Sequence, residues 1–212
     1  MAFLPIFIDV ILHVDKYLSQ IIAEYGFWTY LILFFIIFLE TGLVAFPFLP
    51  GDSLLFAAGA FAAIGSLDVK LLLVVITAAA VLGDTVNYWI GHRIGARIYR
   101  MENVRFVNKE HLERAHQFYE KHGGKAIAIA RFLPVIRTFA PFVAGIGKMD
   151  YLRFLGYNVA GGALWVLVFV LGGFYFGNLP LVKENFSLVI FAIIVISLLP
   201  VFRELVRHYL KL

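Results

Sequence analysis

The sequence lacks cysteine and has little charge. Without cysteine in its 212 residues, the chain has no disulfide bonds or thiolate chemistry, although this absence indicates nothing about the compartment. Charged residues make up only 15% of the chain, against about a quarter in a typical soluble domain. Hydrophobic residues make up 62%, and the mean hydropathy is +0.89. These values predict an integral membrane protein.

Other missing features argue against further classes of function. No solvated segment mixes basic with aromatic residues, so the net charge of +4 predicts no nucleic-acid partner. His111, His116 and His122 lie in a polar loop without a converging pair of carboxylates, so we expect neither a metal site nor a cofactor. The chain has no Gly-x-Ser-x-Gly elbow, and we do not expect an enzyme.

The first half of the chain contains one amphipathic segment and one interrupted apolar tract. Residues 3–22 have an apolar and a polar face, which favours a helix in the membrane interface over a cleaved signal peptide. The tract that follows is predicted to form a re-entrant hairpin at about 28–60. The residues expected to break its helix are Pro47, Pro50 and Gly51.

The second half repeats this order. Residues 92–125 are polar and basic, and are predicted to form a cytoplasmic loop with a second amphipathic helix. Residues 126–147 follow, with Pro134 and Pro141 as predicted helix breakers. If this segment crossed the membrane, the basic loop and the basic C-terminal tail would lie on opposite sides. A re-entrant hairpin keeps both cytoplasmic, as the positive-inside rule requires.

Full membrane spans are predicted where about 20 apolar residues follow one another. They lie at residues 71–91, 154–176 and 186–202. The segments "FLPGDSLLFAAG" and "FLPVIRTFAPFVAG" are similar, so the chain is predicted to be an inverted repeat with halves at 1–91 and 126–212. We therefore expect one all-α, multi-pass membrane domain over residues 1–212.

Four charged residues lie inside these apolar segments: Glu40, Asp52, Arg131 and Arg137. Each costs about 2.5–3.5 kcal/mol at a bilayer centre on insertion scales, so each is expected to meet another charge, water or a ligand. Two acids from one hairpin and two bases from the other could neutralise one another where the hairpins meet. Fixed ion pairs that only hold the hairpins together are the structural alternative, although buried pairs are weak stabilisers compared with apolar packing.

Three polar residues near the end of one span are weaker candidates. Asp84, Asn87 and Tyr88 either extend a polar cavity or cap a helix at the interface. Trp28, Trp89 and Trp165 are interpreted as interfacial anchors.

The segments around the intramembrane charges resemble the two signature segments of the DedA family of bacterial inner-membrane proteins. The likeness lies in Glu40-Thr-Gly-Leu, in "PFLPGDS" ending at Ser53, and in "RFLPVIRTFAPFVAG" at residues 131–145. It extends over essentially the whole chain, including "GDTVNY" and "HQFYEKHGGK".

The resemblance implies that Glu40, Asp52, Arg131 and Arg137 are essential residues. It also implies a flippase in the bacterial inner membrane, which moves undecaprenyl phosphate or a phospholipid such as phosphatidylethanolamine and depends on the proton motive force. The arginines would bind the phosphate, and the acids would couple its movement to protons. Substrate lipid and bilayer are the expected partners, together with a homo-oligomer.

Two other classes of function stay open at this point. A proton-dependent ion or drug antiporter would use the same carboxylates but would need no pair of arginines. A membrane enzyme acting on lipid phosphates would need a nucleophile or a metal.

Overall fold

The computed structural model describes residues 20, 22, 24–43, 51–95, 109–186, 188–189 and 191–193. Within these ranges the regular structure is entirely helical, as predicted, and contains no β-strand. The predicted interfacial helix at 3–22, the residues Pro47 and Pro50, and most of the predicted span at 186–202 lie outside the described residues.

The helices are named here in chain order. They are α1 (Phe27–Gly42), α2 (Gly51–Ala63), α3 (Val69–Ile90), α4 (Lys109–His122), α5 (Lys125–Ala130), α6 (Pro134–Ile146), α7 (Tyr151–Val166), α8 (Gly172–Gly177) and α9 (Pro180–Glu184). Two π-helical turns continue from α3 and α7: π1 (Gly91–Gly95) and π2 (Leu167–Leu171).

Two helical stretches are long and apolar enough to cross a membrane. They are Val69–Arg93, with 25 residues, and Tyr151–Gly177, with 27 residues. At 1.5 Å per residue each exceeds the roughly 30 Å of a bilayer's hydrocarbon core. These stretches match the spans predicted at 71–91 and 154–176.

The predicted hairpin at 126–147 is a broken helix. α5 has six residues and α6 has 13, so α6 is only about 20 Å long and is too short to cross a bilayer alone. The break falls at residues 131–133, where Leu133 is extended, as the residue before a proline usually is. A re-entrant course through the membrane remains a prediction.

Pro134 and Pro141 differ in their effect on the helix. Pro134 is the first residue of α6, where its missing N–H removes no helical hydrogen bond. Pro141 lies inside α6, so its prediction as a hairpin breaker was wrong. A proline at this position offers no N–H to the carbonyl of Arg137, four residues earlier, and the helix nevertheless continues to Ile146. Gly51, predicted to interrupt the apolar tract, is the first residue of α2, and α1 ends before it at Gly42.

The described residues form two compact units. The first takes its members from Met1–Ile32, Pro50–Leu73 and Leu167–Leu212. Within it, α2 packs closely against π2 and α8. A Cβ at Gly177 would lie only 2.9 Å from the Cα of Ala60, and the rings of Phe56 and Phe176 are 5.4 Å apart. The first unit is therefore held by close helix packing and aromatic contacts.

The second unit takes its members from Leu33–Leu49 and Val74–Val166. Helix α3 lies close to α1 at Gly42 and Gly83, where a Cβ on Gly42 would be 3.4 Å from the Cα of Gly83. The ring of Tyr88 stacks on Phe154 of α7 at 4.5 Å, and its hydroxyl donates a hydrogen bond to the carbonyl of Met149. Helix α3 thus contacts both α1 and α7 in this unit.

Helix α4 is the amphipathic helix predicted in the basic loop. Glu113, Arg114 and Gln117 are exposed, whereas Phe118 and Tyr119 are partly buried against the core of the second unit. Burial raises the pKa of Tyr119, although Arg153 acts in the opposite direction. The Tyr119 hydroxyl therefore stays protonated near neutral pH.

Candidate functional site

The second unit contains a small cavity that gathers several of the predicted residues. Its volume is about 10 Å³. The lining residues are Glu40, Thr41, Asp84, Arg131, Arg137, Thr138 and Trp165. A cavity of this size holds about one water molecule, so a larger polar group could enter only if the lining side chains moved.

Arg131 lies at the break between α5 and α6 and is 4% exposed. Its Nη2 atom donates to Asp84 Oδ2 at 2.6 Å and to Asn158 Oδ1 at 2.5 Å. Asn158 in turn donates to the carbonyl of Val81 at 3.0 Å. Because Gly162 has no side chain, the guanidinium fits against α7. A Cβ added at Gly162 would lie only 3.3 Å from the Cζ atom of Arg131. Arg131 is thus fastened to both α3 and α7.

Arg137 projects from the first half of α6 and pairs with Glu40 of α1. Its Nη2 atom is 2.5 Å from Glu40 Oε1, and the two side chains are 9% and 1% exposed. At such burial the pair has little access to solvent, so charge neutralisation depends on the protein itself. Sequence reasoning predicted that Glu40 would meet the arginines, and the structure brings Glu40 and Arg137 together.

Trp165 of α7 connects the two arginines. The Cζ atom of Arg131 lies 5.9 Å from its ring centroid and that of Arg137 lies 5.6 Å away, both within cation–π range. The side chain is only 1% exposed, so the interpretation of Trp165 as an interfacial anchor was wrong. Trp28 and Trp89, by contrast, are exposed.

The three weaker candidates on α3 have separate environments. Asp84 lines the cavity and pairs with Arg131. Asn87 is fully buried, and its side-chain amide donates to the carbonyls of Thr41 and Thr138. Tyr88 is buried in the aromatic contacts between α3 and α7.

Asp52 belongs to the first unit, where it lies in the first turn of α2. A carboxylate there interacts favourably with the positive end of the helix dipole. Its predicted pairing with the arginines remains a prediction.

Two residues of the site were not singled out as candidates from the sequence. Asn158 and Trp165 lie seven residues apart on α7, which is two turns, so both face the same side of the helix. The available signal was a single amide in an otherwise apolar span, which has to find a hydrogen-bond partner. In this structure Asn158 accepts a hydrogen bond from Arg131 and donates one to the backbone of α3.

The site combines two guanidinium groups, each able to present a planar fork of hydrogen-bond donors, with two carboxylates that neutralise them. All four side chains line the same cavity. Within the described part of the chain, no cluster of histidine and acidic side chains is arranged to hold a metal ion.

The comparisons with known proteins identify the family. Residues 49–175 match the family model of the VTT domain. The chain is 52% identical to the protein DedA of Escherichia coli K12 over 203 residues, which cover 95% of this chain and 93% of that protein. It is 45% identical over 165 residues to an uncharacterised membrane protein of Mycobacterium leprae, covering 78% and 74% of the two chains.

A more distant relative is named for its location. The inner membrane protein YqjA of E. coli K12 is 36% identical over 151 residues, which cover 71% of this chain and 69% of that protein. No solved structure matches the chain. The protein is thus a helical membrane protein with two arginines on one cavity, and it is a member of the DedA family with a VTT domain.

Proposed function

We propose that this protein is a flippase of the bacterial inner membrane, where it is a multi-pass protein. Its substrate would be a lipid with a phosphate head group, either undecaprenyl phosphate or a phospholipid such as phosphatidylethanolamine. The observation that carries the proposal is the pair of arginines on one small cavity, of which Arg131 is buried and Arg137 is partly buried. A flippase binds the head group and changes no covalent bond, so the proposed activity is not enzymatic.

The arginines suit a phosphate for two reasons. A guanidinium keeps its charge in any protein environment, and its donors match phosphate oxygens in bidentate geometry. The Nε atom of Arg131 is buried and has no hydrogen-bond partner among the described residues. A phosphate oxygen reaching this N–H would satisfy a buried donor, which is costly to leave unpaired.

The size of the cavity indicates how binding would proceed. A space of about 10 Å³ has no room for a phosphate group while both ion pairs are closed. The head group would therefore replace a carboxylate at an arginine, and the lipid tail would stay in the bilayer. Glu40, paired with Arg137, is the carboxylate for which we propose this exchange.

Exchange at the arginine would couple transport to protons. A carboxylate that has lost its arginine and gained a neighbouring phosphate is more easily protonated, since both changes disfavour its charge. Substrate binding would then take up a proton, and release on the side of higher pH would return it. Glu40 and Asp52 are the acids to which we assign this role.

The proposal is tested with purified protein in liposomes that contain undecaprenyl phosphate or phosphatidylethanolamine. For the prenyl lipid, phosphatase added outside reports how fast inner-leaflet phosphate becomes accessible. Translocation that fails in Arg131→Ala and Arg137→Ala supports the flippase. Lipid conversion without added phosphatase would indicate an enzyme, and cation-driven proton flux without lipid movement would indicate an antiporter.

Proton coupling is tested in the same liposomes with an imposed pH gradient. We expect the gradient to change the rate of the wild-type protein, and we expect Glu40→Gln and Asp52→Asn to lose that dependence. A wild-type translocation rate that does not depend on the pH gradient would contradict coupling through these acids and favour an uncoupled scramblase. Full gradient dependence in both variants would have the same meaning.

A further inference from the structure

The side-chain amide of Asn87 connects the two helices that carry the Glu40–Arg137 pair. Its Nδ2 atom donates to the carbonyl of Thr41 at 3.1 Å and to the carbonyl of Thr138 at 2.7 Å. Thr41 follows Glu40 in α1, and Thr138 follows Arg137 in α6. One amide group on α3 thus touches the backbone immediately beside both members of the ion pair.

The two carbonyls lie in different parts of their helices. Helix α1 ends at Gly42, so the carbonyl of Thr41 is among the last four, which have no partner within a helix. The carbonyl of Thr138 lies in the first half of α6, three residues before Pro141. Asn87 therefore donates one hydrogen bond to the last turn of α1 and a second to α6 beside Arg137.

The two hydrogen bonds that the Asn87 amide donates fix its orientation. Asn87 is fully buried, and its Oδ1 atom has no hydrogen-bond partner among the residues that the structure describes. A buried acceptor without a partner is unfavourable, so packing alone would be better served by an apolar side chain of similar size. The reverse orientation of the amide would bring Oδ1 against two carbonyl oxygens. The two donated bonds therefore determine how Asn87 lies.

We propose that Asn87 is a positioning residue, which ties the end of α1 to the first half of α6 and so holds Glu40 and Arg137 within ion-pair distance. The influence of Asn87 on phosphate binding by Arg137 rests on the function proposed above. Its influence on the ion pair does not depend on that function. Loss of Asn87 would leave both charged side chains in place on helices that are free to separate.

The test uses Trp165 as a reporter, because its ring lies 5.6 Å from the Arg137 guanidinium. The chain has three tryptophans, so replacing Trp28 and Trp89 by phenylalanine leaves Trp165 as the only tryptophan, which is excited selectively. In this background, Asn87→Leu should shift the Trp165 emission in the same direction as Glu40→Gln. In the double variant, Asn87→Leu should add no further shift, since the pair on which it acts is already broken.

Thr85→Val is the matched control on the same helix. The Thr85 hydroxyl bonds only within α3, to the carbonyl of Val81 at 2.8 Å, so we expect no shift in emission. If Asn87→Leu does not fold, Asn87→Ala removes both donors without adding a larger side chain to the site. An unchanged spectrum in the variant that folds would overturn the proposal, as would equal shifts with and without Glu40→Gln.

The liposome assay separates this inference from the proposed function. If the protein moves the phosphate lipid, Asn87→Leu should lower KM by up to about tenfold, in the same direction as Glu40→Gln, because both variants weaken the ion pair with which the phosphate competes. If the wild-type protein moves no lipid, the proposed function fails. The Trp165 emission of the single and double variants still decides whether Asn87 positions the ion pair.

Discussion

Arg131 and Arg137 line the same cavity, but their ion pairs join different kinds of helix. The partners of Arg131, Asp84 and Asn158, lie on α3 and α7, which belong to the two span-length stretches. The partner of Arg137, Glu40, lies on α1, which has 16 residues. Arg137 itself lies on α6, which has 13.

This difference suggests a division of roles. The Arg131 pair fastens the broken segment to helices that are long enough to be fixed by the bilayer. The Arg137 pair joins two shorter helices, one of which ends two residues after Glu40 while the other contains a proline. Separation of the second pair disturbs less structure, so we infer that phosphate exchanges with Glu40 while Arg131 stays anchored to Asp84.

The largest expected effect is an all-or-none difference in labelling. Single cysteines at the exposed positions Lys125 and Lys148, which flank the broken segment, should react with a membrane-impermeant reagent from the same, cytoplasmic, side. The reason is that neither α5 nor α6 is long enough to cross the bilayer alone.

A span-length helix provides the control for this labelling. Cysteines at the exposed positions Lys70 and Arg93 lie near the two ends of Val69–Arg93 and should react from opposite sides. Opposite labelling at Lys125 and Lys148 would mean that the segment crosses the membrane, and the distinction between broken and spanning helices would fail.

The next effect is on stability. Asp84→Asn removes the carboxylate from a guanidinium that is almost fully buried and should lower the free energy of unfolding by roughly 3–5 kcal/mol, as breaking a buried ion pair usually does. Glu40→Gln should cost less, because the helices that it joins can adjust. Unfolding by SDS from detergent micelles measures both, and a larger loss for Glu40→Gln would reverse the proposed roles.

Replacing arginine by lysine should give a smaller effect, seen in transport. Lysine keeps the charge but loses the planar fork, so Arg137→Lys should slow lipid translocation by roughly 10–100-fold, the equivalent of about 1.5–3 kcal/mol. Arg137→Ala should be only slightly worse. Normal transport by Arg137→Lys, at equal reconstitution, would show that bidentate phosphate recognition is not required.

The sequence allowed part of this site to be predicted. Glu40, Arg131 and Arg137 could be recognised because a charge in an apolar segment is too costly to leave in contact with lipid. The break after Ala130 was also predictable in outline, since Pro134 requires an extended residue before it.

The choice of partners could not be predicted in the same way. Arg131 and Asp84 are 47 residues apart, and their pairing depends on how α3 is rotated about its axis. Glycines set that rotation, since Gly83 lets α3 approach α1 and Gly162 leaves room for the guanidinium. Such contacts appear only when the helices are packed, so Asp84 was one weak candidate among three and Asn158 was missed.

Binding of a phosphate lipid tests the proposed exchange most directly. The protein with Trp165 as its only tryptophan is titrated with geranylgeranyl phosphate in detergent micelles, with geranylgeraniol as the control that lacks phosphate. Glu40→Gln removes the competitor for Arg137 and should therefore tighten binding by about tenfold, whereas Asp84→Asn should not. Binding by Glu40→Gln that equals or is weaker than that of the parent protein would contradict the exchange of phosphate for Glu40 at Arg137.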